Sequence, residues 1–129
     1  MSISPAAVVE ALVAAFNRRD GEGVARLLHD DVVCHGIPLA PAIGRDAAMA
    51  MLAPFLAAGE IDWHVLHIGV AGRVVFTERV DRFRFAGEDW TAVRAAGIFE
   101  IANDGRVIAW RDYFDMQELV AAMPRPADS

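Results

Sequence analysis

Three residues of this 129-residue chain have the types and spacing to move protons: Arg79, Asp81 and Asp112. Side chains alternate faces along a β-strand, so the parity of each position can be read directly. In the run Val74–Phe85 one face takes Val75, Thr77, Arg79, Asp81, Phe83 and Phe85. The other takes Val74, Phe76, Glu78, Val80, Arg82 and Arg84, and its charges mark it as the solvated side. Arg79 and Asp81 are therefore expected inward. In the run Val107–Asp115 one face reads Ile108, Trp110, Asp112, Phe114, apolar except for Asp112. A buried carboxylate must be neutral or paired. Arg79 is the natural partner, because a guanidinium presents five donors and can bridge two carboxylates. Two acids around one Arg sit in unequal environments, so their proton affinities separate and one can act as base, the other as acid. A structural ion-pair network holding strands in register would show the same residues.

The elements that must position these residues fall into two halves. Ser4 caps and Pro5 opens a first helix to about Arg18, stopped by Asp20-Gly21. A short helix, Glu22 to His29, a strand Val32–His35 and a proline-rich loop Gly36–Gly44 follow. A third helix runs from Arg45 to about Ala58, with Pro54 inside it. The second half reads as four strands: Ile61–Ile68, Val74–Phe85, Trp90–Ile101 and Val107–Asp115. Asn103-Asp104-Gly105 marks a hairpin. Asp115 caps a last helix, Met116 to Met123, and a loose tail 124–129 ends the chain. Helices first and a meander second predict one α+β domain over residues 1–123, a curved, mainly antiparallel sheet with helices on its concave face.

Composition narrows the partners. The net charge is −6, and all 12 basic residues are Arg. Such a surface is poor for nucleic acid or anionic membrane. The single cysteine, Cys34, excludes an intramolecular disulfide and fits a cytoplasmic setting. The N-terminus lacks a basic segment and carries Glu10, so it reads as a helix rather than a leader, and no apolar run is long enough for a membrane span.

Other candidates are weaker. His64 and His67, three apart in a strand, are expected on opposite faces, which leaves no metal site. Cys34 and His35 are adjacent and point apart, so Cys34 reads as a small core residue, not a nucleophile. The glycines of 36–44 do not have phosphate-loop spacing. Met49, Met51 and Met123 read as core filling. No cofactor is expected.

The chain resembles the limonene-1,2-epoxide hydrolase family, within the cone-shaped fold shared by nuclear transport factor 2 and ketosteroid isomerase. The resemblance rests on Ile37-Pro38-Leu39, Gly44-Arg45-Asp46-Ala47, His67-Ile68-Gly69, Thr77-Glu78-Arg79-Val80-Asp81, Gly97-Ile98-Phe99 and Trp110-Arg111-Asp112-Tyr113-Phe114-Asp115. It implies an Asp-Arg-Asp triad that opens an epoxide by direct attack of water. Asp112 would take the water's proton, Asp81 would protonate the epoxide oxygen, and Arg79 would hold them apart. Trp110 would wall the pocket or donate its indole N–H, with Phe83, Ile108 and His35 as further substrate-facing residues. The family holds its water with a Tyr and an Asn, and the matching places here are Cys34 and Gly36. His35 takes over if the strand bulges at Gly36; otherwise a backbone carbonyl of the Gly36–Pro41 loop does.

The expected activity is hydrolysis of a small to mid-sized apolar epoxide to a diol. The alternatives are an isomerase or cyclase of the same fold, or a non-catalytic binding or dimerisation module. The outward residues of the last two strands are expected to include Val93, Phe99, Ile101, Val107 and Tyr113. That apolar patch, like the resemblance, implies a homodimer through the outer sheet face, with Phe99 and Tyr113 near its centre.

Overall fold

The computed structural model describes residues 4–124. Helix α1 spans Pro5–Asn17; Ser4 Oγ accepts the Ala7 N–H, and Val9, Leu12, Val13 and Phe16 form its buried stripe. Helix α2, Gly21–Leu27, is capped by Asp20, which accepts the Gly23 N–H at 2.9 Å. Strand β1 then runs over Leu28–Ile37, starting earlier than the sequence predicts. Its pairing is irregular between Leu28 and Val33, and that bulge absorbs the polar His29–Asp31 stretch that read as the end of a helix. The proline-rich loop contains a two-residue strand, β2 (Ala42–Ile43), paired to β1. Helix α3, Arg45–Leu56, follows Gly44, whose φ of 90° suits a residue without a side chain. Pro54 sits in its last turn, and the helix stops two residues short of the expected Ala58.

Strands β3 (Glu60–Ala71), β4 (Val74–Arg84), β5 (Trp90–Ile101) and β6 (Val107–Phe114) follow, then helix α4 (Met116–Ala122). The six strands form one open mixed sheet in the order β2-β1-β6-β5-β4-β3. Only β1 and β6 are parallel; every other pair is antiparallel. The core joins the inner sheet face, with Trp63, Val75, Phe83, Phe99 and Trp110, to the buried residues of α1, α2 and α3. This is the α+β architecture that the order of elements predicts. Of the expected loose tail only Pro124 lies within the described residues.

The outer-face assignment needs correction. Val93, Phe99, Ile101 and Val107 are buried in the inner layer, between 0 and 4% exposed. Residues directly opposite in neighbouring strands share a face, and Phe99 lies opposite Trp110 while Val93 lies opposite Asp81. Near the hairpin, Glu100 pairs with Ala109 but Ile101 pairs with Val107. Ile108 is the extra residue, so the parity reverses there and Val107 turns inward. Tyr113 does lie outside, 44% exposed. A further bulge lies between Val65 and His67, with Leu66 as the extra residue. It places His64, opposite Val80, and His67, opposite Glu78, on the same outer face, not on opposite faces. The two are still not joined: His64 bonds Asp62 and His67 bonds Glu78.

Candidate functional site

The inner face of β4 carries Thr77, Arg79 and Asp81, all buried. Arg79 is 1% exposed and uses all five of its donors. Nε and Nη2 grip the two carboxylate oxygens of Asp81 at 3.0 and 2.9 Å. Nη1 and Nη2 grip those of Asp112, on β6, at 3.1 and 2.7 Å. The remaining Nη1 hydrogen goes to Thr77 Oγ1 at 3.1 Å. The guanidinium also lies over the Trp63 ring, 5.0 Å from its centroid, and near the Phe99 ring at 5.8 Å. Burial works against its charge, but Asp112 and Asp81 outweigh burial and raise its pKa. The ion triad that strand parity predicted is thus formed, with Arg79 bridging both acids.

Arg79 must reach over strand β5 to find Asp112. Gly97 makes this possible. It pairs with Thr77 on one side and Asp112 on the other. A Cβ there would stand 2.5 Å from Arg79 Nη1 and 2.6 Å from Asp112 Oδ1. Thr77 and Gly97 are the site residues that parity arguments missed; the Thr77 hydroxyl on the same face as Arg79 was the available signal.

The two acids differ in their surroundings. Asp81 is 6% exposed. Burial pushes its carboxyl up to about 6, against the pull of Arg79. Asp112 is the more open of the two, its side chain 18% exposed. Three N–H groups point at it: two from Arg79 and Trp110 Nε1, which donates to Oδ1 at 2.8 Å. The expected role of the Trp110 indole as a donor therefore has a geometric basis. Asp112 is ringed by donors, whereas burial lets Asp81 hold its proton to a higher pH than an ordinary aspartate does.

Both acids face one cavity of about 100 Å³. Trp63, Phe83, Trp110 and Phe114 come to it from the sheet, Met51, Leu52 and Phe55 from α3, and Leu119 from α4. Of the expected substrate-facing residues, Trp110 and Phe83 line it. Ile108 does not, because it is the bulged residue near the hairpin. His35 borders the cavity, but the register of Val33–Ile37 against β6 runs without a break, so there is no bulge at Gly36. His35 lies opposite Arg111, on the outer-face parity, and its Nε2 engages the Leu39 carbonyl at 2.7 Å. Cys34 and Gly36 do line the cavity, opposite Trp110 and Asp112. Cys34 is 1% exposed, and burial, helped by Asp112, pushes its thiol up to about 12. It is a neutral thiol, not a nucleophile. Among the described residues no group of three His, Cys, Asp or Glu side chains is placed to hold a metal.

Two carboxylates bridged by one guanidinium in an apolar chamber can take up and release protons. The chain is 29% identical over 117 residues to the epoxide hydrolase EphG of Mycobacterium tuberculosis, covering 91% of this chain and 77% of that protein. It superposes with a TM-score of 0.78 on the structure of a limonene-epoxide-hydrolase-like epoxide hydrolase from M. tuberculosis, at 28% identity over 92% of this chain and 88% of the other. A nuclear-transport-factor-2-like protein of unknown function from Burkholderia pseudomallei shares the fold, with a TM-score of 0.80 at 19% identity, covering 97% of this chain and 100% of the other. Residues 3–125 match the sequence profile of the limonene-1,2-epoxide hydrolase catalytic domain. This chain belongs to the limonene-1,2-epoxide hydrolase family.

Proposed function

We propose that the protein opens a small to mid-sized apolar epoxide to a vicinal diol, using Asp112 as general base and Asp81 as general acid. The single observation that supports this most is the Arg79 fork holding two carboxylates of unequal environment in one apolar cavity. Asp112 takes a proton from the attacking water as its oxygen bonds to a ring carbon. The ring C–O bond breaks toward its oxygen, which receives the proton of Asp81. Ring strain supplies the driving force, so side chains and water suffice without a cofactor. Arg79 keeps both acids fixed and keeps positive charge beside them as their protonation states exchange. Trp110 fixes the orientation of Asp112, and Phe83 and Phe55 supply apolar wall.

A panel of racemic apolar epoxides with diol detection tests the reading. The wild type forms diol and Asp112→Asn loses about 10²–10⁴-fold of the rate while remaining folded by circular dichroism at the assay temperature. No diol from any epoxide leaves a binding module of this fold. The outer sheet face presents Leu66, Phe76 and Tyr113, 52, 45 and 44% exposed, and we assign to it a two-fold homodimer. Sedimentation at micromolar concentration giving only a 14.0 kDa species contradicts that assignment.

A further inference from the structure

We infer that the indole N–H of Trp63 is a second donor to the epoxide ring oxygen, alongside Asp81, and so a further catalytic group of this site. The inference rests on the reading of Asp81 as the acid given above, and concerns only what else meets the oxygen that Asp81 protonates.

A buried Trp N–H ordinarily finds an acceptor, because one left without a partner forfeits its hydration for nothing. Trp63 is 7% exposed. Among the described residues, its Nε1 is the one buried side-chain nitrogen or oxygen with no hydrogen-bond partner. The rest of the residue is firmly held. β3 is an edge strand, and the Asn17 carboxamide closes on the Trp63 backbone. Oδ1 accepts the Trp63 N–H at 2.7 Å, and Nδ2 donates to its carbonyl at 3.3 Å. The Phe16 ring stacks on the indole with 4.2 Å between centroids, and the Arg79 guanidinium lies over it. These contacts meet the faces of the ring, whereas the N–H lies in its plane. Trp63 lines the cavity shared by Asp81 and Asp112. An orphan donor on a clamped indole in the cavity wall gains its acceptor when a ligand brings one.

Place and chemistry both select the ring oxygen over the attacking water. Trp63 lies directly opposite Asp81 on the β3–β4 ladder, whereas Asp112 stands on β6, two strands beyond β4. The orphan donor is thus the neighbour of the acid, and the indole that serves Asp112 is that of Trp110. An indole nitrogen only donates. On the attacking water it would draw on the lone pair that must reach the ring carbon. On the ring oxygen its bond strengthens as the C–O bond breaks and negative charge gathers there, before the proton of Asp81 has fully passed over. The bonds made and broken are those of the ring opening already described, and Trp63 keeps its own proton throughout.

The test is a proton–nitrogen NMR titration of the full chain, labelled at its three tryptophan indoles. The Trp63 signal is assigned through its contacts with the stacked Phe16 ring. The probes are the bridged ether oxanorbornane, with its oxygen at the one-atom bridge, and the hydrocarbon norbornane. The ether is an isomer of cyclohexene oxide that lacks the reactive three-membered ring. The expected result is a downfield move of the Trp63 indole proton with the ether and none with the hydrocarbon at equal occupancy. In turnover of cyclohexene oxide, Trp63→Phe should lose about tenfold to a hundredfold in kcat, at or below the cost of one oxyanion donor, with KM changed less. A Trp63 proton that the ether leaves in place, or that the hydrocarbon moves as far, overturns the proposal. So does an unchanged kcat in Trp63→Phe. The titration uses the wild type, so it decides even where that variant fails to fold. Diol formed without the indole response overturns the Trp63 contact alone. The indole response with no diol from any epoxide supports the contact and overturns the hydrolase reading alone.

Discussion

The two walls of the cavity differ sharply. On the β4–β6 wall every polar group is spoken for: five Arg79 donors meet five acceptors, and the Trp110 indole adds a third bond to Asp112. On the β1 wall Cys34, Gly36 and Leu39 present a buried thiol, a bare backbone and an aliphatic chain. The first wall fixes charge and protons; the second fixes little beyond shape. Machinery for acid–base chemistry and machinery for holding the attacking group are therefore separable features of this scaffold, carried by different strands.

The most damaging way to break the contrast is Arg79→Met. It leaves Asp81 and Asp112 together in an apolar chamber with no counter-charge. Breaking a buried ion pair from one side costs about 3–5 kcal/mol, so denaturant unfolding at neutral pH should shift by that much, and epoxide opening should vanish. A small shift would mean that the cluster is better hydrated than its burial implies.

Furnishing the poor wall should sharpen the contrast from the other side. Cys34→Tyr with Gly36→Asn adds a phenol and a carboxamide opposite Trp110 and Asp112. Diol formation from simple epoxides should rise by about tenfold or more, since a misplaced group can cost around a hundredfold. Phe114 must shift to admit the new Cβ at position 36, so the comparison is best repeated with Phe114→Leu as a third change. A folded variant without that rise argues that water access is limited elsewhere.

The smallest effect is expected at His35. Its ring holds the Leu39 carbonyl at the cavity rim rather than a reacting atom. His35→Ala should raise KM by about fivefold or less, the worth of one exposed hydrogen bond, with kcat unchanged. A collapse in kcat would return His35 to the reaction centre.

Much of the site was legible in the sequence because β4 alternates without interruption. Arg79 and Asp81 share a face by spacing alone, and Asp112 stood out as the one polar residue on an apolar face. What spacing could not supply was register. Whether Phe99 faced in or out depended on its meeting Trp110, a pairing set by the β5–β6 hairpin. Single inserted residues at Leu66 and Ile108 reversed parity locally, moving the His64–His67 pair to one face and removing Ile108 from the cavity. Neither bulge is marked by a glycine or proline. Gly97 looked like an ordinary strand glycine until two strands placed Thr77 and Asp112 on either side of it. The condition for His35 to turn inward, a bulge at Gly36, is likewise a matter of register: pairing with Asp112 keeps Gly36 in the ladder.

The division of labour between the acids makes stability and activity depend on pH in a stated direction. Burial raises Asp81 from 3.8 to about 6. The folded state then holds a proton that the unfolded chain has released, so this group's contribution to stability is complete below about 4 and is lost as pH rises through about 6. The same proton is the one delivered to the ring oxygen, so kcat/KM should fall over the same interval. Asp81→Asn should flatten the stability slope and abolish turnover.

The most direct measurement is a carbon NMR titration of the labelled aspartate carboxyls, with Asp81 assigned by its loss in Asp81→Asn. The expected result is a midpoint near 6 for Asp81, with kcat/KM falling through the same pH range. A midpoint for Asp81 at or below the ordinary aspartate value of about 3.9 would mean that it carries no proton to give, and would contradict its assignment as the acid.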